Sequence, residues 1–273
     1  MKKLLSNILI FVLLLEAFYI PAVAYNRDDH DYYTEEVLFG EYHSSALNKK
    51  QREAIDLLNC ALYLTIDQFN GTGEKELSTL KAAGVKNLPE LAEIDFNANY
   101  KHRSYTHRGW DYNYPDDRAH WKVRKEILLS TAKKVFPGFA NDKQCDAFCA
   151  LLYYIHIIAD GMAEKSYKKS DLRIPVGGRA GRDNLDAIQE ILRILPLVFP
   201  SQTNDHLYER LKVELASLDN KMTELTTSTG GINTDEEFIE YHGYTEKAME
   251  ILHARIYRLL QEEPFFCSVF PEV

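Results

Sequence analysis

The stretch from Asp142 to Glu164 constrains this chain more than any other. Past the N-terminal leader it is the most apolar segment, with Leu151, Leu152, Ile155 and Ile158 at helical spacing. Asn141 or Asp142 stands ready to cap its start. A helix apolar around most of its circumference must be wrapped by others, so this one is expected at the centre of the fold. The remaining segments read as the wrapping. Between Asn48 and Phe69, Ile55, Leu58, Leu62, Ile66 and Phe69 recur at threes and fours, ended by Asn70-Gly71-Thr72-Gly73. Residues 74–83 and 88–94 predict two short helices around Gly84 and Pro89. Pro115-Asp116-Asp117 starts a helix whose buried stripe is Trp121, Leu128 and Val135, up to Pro137-Gly138.

Downstream, Asp183 or Asn184 opens a helix through Leu195 that Pro196 should break. Leu207, Leu211, Leu215, Leu218, Met222 and Leu225 define a long helix ending near Gly230. A last helical region covers 234–262, with Gly243 as a point of bending. Residues 25–46 read as a polar, aromatic arm. Strand alternation is nearly absent, and neither a repeat nor a linker divides the chain. The expectation is all-α: a single multi-helix domain over 25–273, with a central apolar helix carrying His156-x-x-x-Asp160.

Residues 1–24 read as a signal peptide. Lys2 and Lys3 precede the apolar run 8–15, and Ala22-Val23-Ala24 offers small residues for cleavage before Tyr25. The run is short for a bilayer span of about 20 residues. The expected product is an exported chain, periplasmic or extracellular, with no stable membrane span after cleavage. Four cysteines (Cys60, Cys145, Cys149 and Cys267) permit two disulfides in an oxidising compartment. A net charge of −9 argues against a broad basic surface for long nucleic acid. It leaves room for small phosphorylated substrates if a metal supplies positive charge locally.

Two clusters carry chemistry. On the central helix, His156 and Asp160 are one turn apart and share a face, so an imidazole and a carboxylate can grip one divalent ion. The alternative is a buried His–Asp hydrogen bond that orders the core. The second cluster is Asp95 followed by Lys101-His102-Arg103-Ser104-Tyr105-Thr106-His107-Arg108-Gly109-Trp110-Asp111. His102 and His107 cannot share a helix face, so one would join a metal while the other orients it or meets substrate. Arg103 and Arg108 offer planar forks suited to phosphate oxygens. Further on, His242 and Glu246 repeat the one-turn spacing if Gly243 does not interrupt the helix.

The order Asp95, His102-Arg103-x-x-Thr106-His107, His156-x-x-Ala159-Asp160 resembles the YdjM-type metal-dependent hydrolases. It is also similar to the zinc-dependent phospholipase C and P1-type nuclease family of all-α exported phosphodiesterases, in which a further His-x-x-x-Asp/Glu pair follows. Here His242 and Glu246 stand in that place. Ser104 departs from the Gly of the first pattern, and Arg108 from its small residue. The resemblance implies zinc, as one or two ions, or another divalent metal, on Asp95, His102, His107, His156, Asp160 and His242.

Read together, these features point to a secreted, metal-dependent phosphoester hydrolase acting on a nucleotide, a nucleic acid or a phospholipid. The ion would polarise a phosphoryl oxygen and lower the pKa of bound water toward about 7. Asp111 or Glu246 would take the remaining proton, and Arg103 would offset charge on the phosphoryl oxygens. The rival reading is a non-catalytic exported helical binding module, braced by a structural metal or a buried His–Asp network.

Overall fold

The computed structural model describes residues 38, 47–67, 73–90, 109–111, 118–163, 179–228 and 234–271. Apart from Leu38, which is buried, the expected leader and arm therefore lie outside the described residues. So do the side chains of 160–163 and 179–183, whose backbone is helical. Everything described is helix or connecting turn, and no strand occurs among the described residues. The fold is all-α, as the apolar spacing implied.

Helix α1 (Lys49–Leu62) starts at a reciprocal cap: the Asn48 side chain accepts from the Gln51 amide at 3.0 Å, and the Gln51 side chain accepts from the Asn48 amide at 2.9 Å. Ile55, Leu58, Leu62 and Ile66 are buried, as the spacing required. The α-helix gives way at Tyr63–Asp67 to a wider π turn. The cause is local. The Thr65 hydroxyl donates to the Ala61 carbonyl at 2.7 Å, and the buried Arg124 guanidinium donates to the Thr65 carbonyl at 3.2 Å. Helix α2 (Glu74–Ala82) stops where Gly84 takes a positive φ of 77°. There Val85 donates to Leu80 and Gly84 to Lys81, each at 3.0 Å, which closes the end as a Schellman motif. No helix follows over 88–90, where the short 88–94 helix was expected. Asn87, at φ 58°, and Pro89 turn the chain instead. Positions 91–94 are outside the described residues.

Helix α3 (Arg118–Val135) buries Trp121, Leu128 and Val135. Helix α4 (Asp142–Ala163) is the central one, buried along nearly its whole described length. Asn141 caps it through the Gln144 amide at 3.0 Å. Helix α5 (Arg179–Val198) begins ahead of the expected Asp183 or Asn184 and passes through Pro196 without breaking. The Pro196 ring is solvent-exposed, so water can serve the Leu192 carbonyl that lost its donor. Helix α6 (His206–Ser228) follows, then α7 (Asp235–Gln261), capped by Thr234 and Glu237. Gly243 does not interrupt α7. A short α8 (Pro264–Cys267), unforeseen in the sequence, starts with Pro264 in its first turn.

Helices α4 to α7 close into a ring: α4 packs on α5, α5 on α6, α6 on α7, and α7 back on α4. Gln144, in the first turn of α4, donates to the Val198 carbonyl at the end of α5 (3.0 Å) and to Glu263, just past α7 (2.9 Å). Both neighbours therefore run antiparallel to α4. The arrangement is an up-down-up-down bundle, with α1 to α3 against one side and α8 across one end. That end is sealed by aromatic rings: Phe139 stacks on Phe265 at 4.3 Å, and Phe136 meets Phe148, Phe265 and Phe266 at 5.4–5.7 Å. All four cysteines are thiols, so the two permitted disulfides are not formed in this fold. Cys145 and Cys149 lie buried on α4, where burial pushes the Cys149 thiol well above its usual range. No helix among the described residues is long and apolar enough to cross a membrane.

Candidate functional site

His156 sits in the third quarter of α4 with 2% of its surface exposed. Asp160 follows one turn later on the same helix face; its backbone is helical and its side chain lies outside the described residues. On α7, His242 is buried and its Nδ1 lies 3.5 Å from Glu246 Oε1, so the second His-x-x-x-acid pair forms on an unbroken helix. That distance suits an ion pair if the imidazole is protonated, and it is too long for a well-made hydrogen bond.

The bundle register brings the two pairs toward one end. Starting from the Gln144–Val198 contact, α4 rises about 18 Å to His156, and α5 runs about 21 Å back to Asn184. Asn184, buried, donates its side-chain amide to the Thr245 hydroxyl at 3.5 Å. Thr245 lies in α7 between His242 and Glu246. The last turns of α4, the first turns of α5 and the His242–Glu246 turn of α7 thus share one end of the bundle, opposite the Phe-rich end. Among the described residues, no three His, Cys, Asp or Glu side chains gather closely enough to hold an ion. Asp95, His102, Arg103 and His107 lie outside the described residues, so this statement concerns only the helical half of the expected ligand set.

The described chain resumes after the His/Arg cluster at Gly109, and it resumes on α4. Gly109 has φ 107°, a conformation that glycine alone adopts without strain. Its amide donates to the Tyr153 hydroxyl at 3.2 Å, and the next amide, of Trp110, donates to the Tyr154 hydroxyl at 2.9 Å. The Trp110 indole is buried, donates to Asp146 at 3.1 Å, and packs on Trp121 and Tyr153 with centroids 5.9 and 5.8 Å away. Trp121 in turn donates to the Trp110 carbonyl at 2.9 Å. Asp146, Tyr153, His156 and Asp160 recur at sevens, threes and fours, so they share a face of α4. Burial pushes the Tyr154 phenol far above its ordinary value, so the hydroxyl stays neutral as it accepts the Trp110 amide.

Asp111 is drawn into the same anchor. Arg193 of α5 pairs with it at 3.0 Å and Lys125 of α3 at 3.6 Å, while Lys125 also lies 4.3 Å from the Trp110 ring centroid. By helix rise, Arg193 stands roughly 10 Å from the height of His156 toward the Phe-rich end. Asp111 therefore serves as a docking charge on the side of the bundle. The sequence reading missed Trp110, Tyr153, Tyr154 and Asn184. The adjacent Tyr153-Tyr154 pair just before His156 was the available signal, although tyrosines on an apolar helix usually report only burial.

No family model, curated protein or solved structure matches this chain.

Proposed function

We propose that this chain is a metal-dependent hydrolase of phosphoesters, exported after loss of its leader, with its site at the His156 end of the bundle. The observation that carries the reading is the Asn184–Thr245 contact. Through it, α5 meets the α7 turn that carries His242 and Glu246, at the end of the bundle toward which His156 and Asp160 stand. Sites in four-helix bundles are built in this way, from imidazoles and carboxylates of facing helices. The docking of Gly109 and Trp110 on Tyr153 and Tyr154, in the turn of α4 before His156, adds support, because the His102–His107 cluster directly precedes it in sequence.

The donor chemistry fits zinc, which takes imidazole nitrogen and carboxylate oxygen. His156 and His242 offer the first, and Asp160 the second. Asp95, His102 and His107 would complete the shell. A bound ion would supply Lewis acidity and acidify water at neutral pH. The residues of the chain do the rest. His156 itself, 2% exposed, is shielded from bulk water by the packed core. Arg103 would sit against the phosphoryl oxygens, and Glu246, with 39% of its side chain exposed, is the carboxylate better placed to accept a proton. Asp111, held between Arg193 and Lys125, is less suited to that role.

The substrate class proposed is a phosphodiester of a nucleotide, nucleic acid or lipid. The binding-module reading draws on a separate observation, the near-complete burial of His156 on the central helix, which suits a brace within the core. One experiment separates them: metal content of the purified chain by mass spectrometry, with turnover of a generic aryl phosphodiester. Zinc near one or two ions per chain, with hydrolysis lost in His156→Ala, supports the enzyme. Bound zinc without hydrolysis of any phosphoester supports the module.

A further inference from the structure

At the Phe-rich end, opposite the proposed site, one carboxylate joins three helices. Glu263, just past α7, is 2% exposed. Its Oε2 accepts from Gln144 of α4 at 2.9 Å, and its Oε1 from Gln202 at 2.7 Å and Ser201 at 3.3 Å, both in the turn after α5. Gln144 and Gln202 are themselves tied to the backbone, at Val198 and Leu259. Every partner of this carboxylate is neutral. Lys143 on α4, Asp205 ahead of α6, Glu262 behind α7 and Cys267 on α8 are titratable side chains of the packed elements, while burial and the three neutral donors set the proton affinity of Glu263. With no cation beside it, the charged carboxylate carries a desolvation cost that its hydrogen bonds offset in part.

We infer that Glu263 is a proton-operated latch: taking up a proton tightens the junction of α4, α5 and α7, and losing it loosens that junction. The geometry provides a seat for the proton. The two amides must go on donating, because each also serves a backbone carbonyl. Ser201 carries a hydroxyl that can turn from donor to acceptor, so a protonated Oε1 can donate to it without displacing either glutamine. Burial raises the Glu263 carboxyl above its ordinary range, which agrees in direction, with the hydrogen bonds of Gln202, Gln144 and Ser201 opposing it. The consequence for linkage follows from that sign. A carboxyl that binds its proton more tightly in the fold than in the unfolded chain adds stability at low pH, and this is lost as pH rises through its folded value.

The test uses the full chain. Urea unfolding from pH 4 to 8 is compared between wild type and Glu263→Gln. The ratio of their unfolding constants should move against the wild type as pH rises, by about tenfold for each unit by which the carboxyl is raised. A ratio that stays flat, or that moves the other way, overturns the inference. Should Glu263→Gln fail to fold, carbon NMR of the Glu263 carboxyl in the wild type decides. A titration midpoint above that of an ordinary glutamate supports the latch, and a midpoint at or below it overturns the latch.

Discussion

The backbone amide of Trp110 ends on the phenol of Tyr154, 2.9 Å away, and this bond ties a turn between helices to the centre of the bundle. Both groups are buried. Tyr154→Phe keeps the ring and removes the acceptor, leaving a backbone donor without water. The expected cost is about 1–3 kcal/mol in urea unfolding. Tyr153→Phe should cost less, about 0.5–1.5 kcal/mol, because its bond to Gly109 is longer and only half-buried. Losses near zero in both variants would show that the two tyrosines act through packing alone.

His156→Ala tests the proposed chemistry. Metal content and phosphodiester turnover should fall together, turnover by at least about a hundredfold, since the substitution removes a proposed ligand from the reacting centre. Far-UV circular dichroism should change little, because Ala is the strongest helix former. Full turnover in this variant would end the enzyme reading while leaving the fold untouched.

Phe136 lies against Phe139, Phe148, Phe265 and Phe266 and is fully buried. Phe136→Ala should destabilise the chain by about 3–5 kcal/mol, through lost transfer energy and the cavity left behind. Phe136→Leu should recover more than half of that loss. Thermal unfolding in the two variants reads this directly.

Lys133 and Asp142 face each other across the turn between α3 and α4 at 2.8 Å. The Lys133 hydrogen bond holds the Asp142 carboxyl below its ordinary value. A carboxyl lowered in the fold adds stability above its unfolded value, near 3.9, and that stability fades as pH falls through the folded value. Asp142→Asn should therefore remove a small loss of stability at the acid limb. The pair is exposed, so about 1 M salt should erase the difference between the two proteins.

The long helices were legible because their apolar residues recur at threes and fours, and the caps at Asn141 and Thr234 sit where short polar side chains precede those runs. Pro196 misled for a physical reason: it stands in the last turn of α5, two residues before the helix ends, where few bonds remain to be broken. The π turn after Leu62 depends on Arg124, which arrives from another helix. Helix α8 is one turn long, too short to show a period. At the candidate site, the one-turn pairs at 156/160 and 242/246 could be read from spacing alone. That Asn184 aligns them, and that Glu263 braces the far end, depends on bundle register, which no local pattern encodes.

At Gly138, a Cβ would come within 3.0 Å of the Phe265 Cα. The backbone of the loop before α4 and that of the final short helix touch there with no side chain between them. Any residue larger than hydrogen at 138 must push α8 outward and pull Phe265 and Phe266 from their seats. Because the clash is with backbone, no change of side chain at 265 relieves it: Gly138→Ala is absorbed only by a small shift of α8 as a whole.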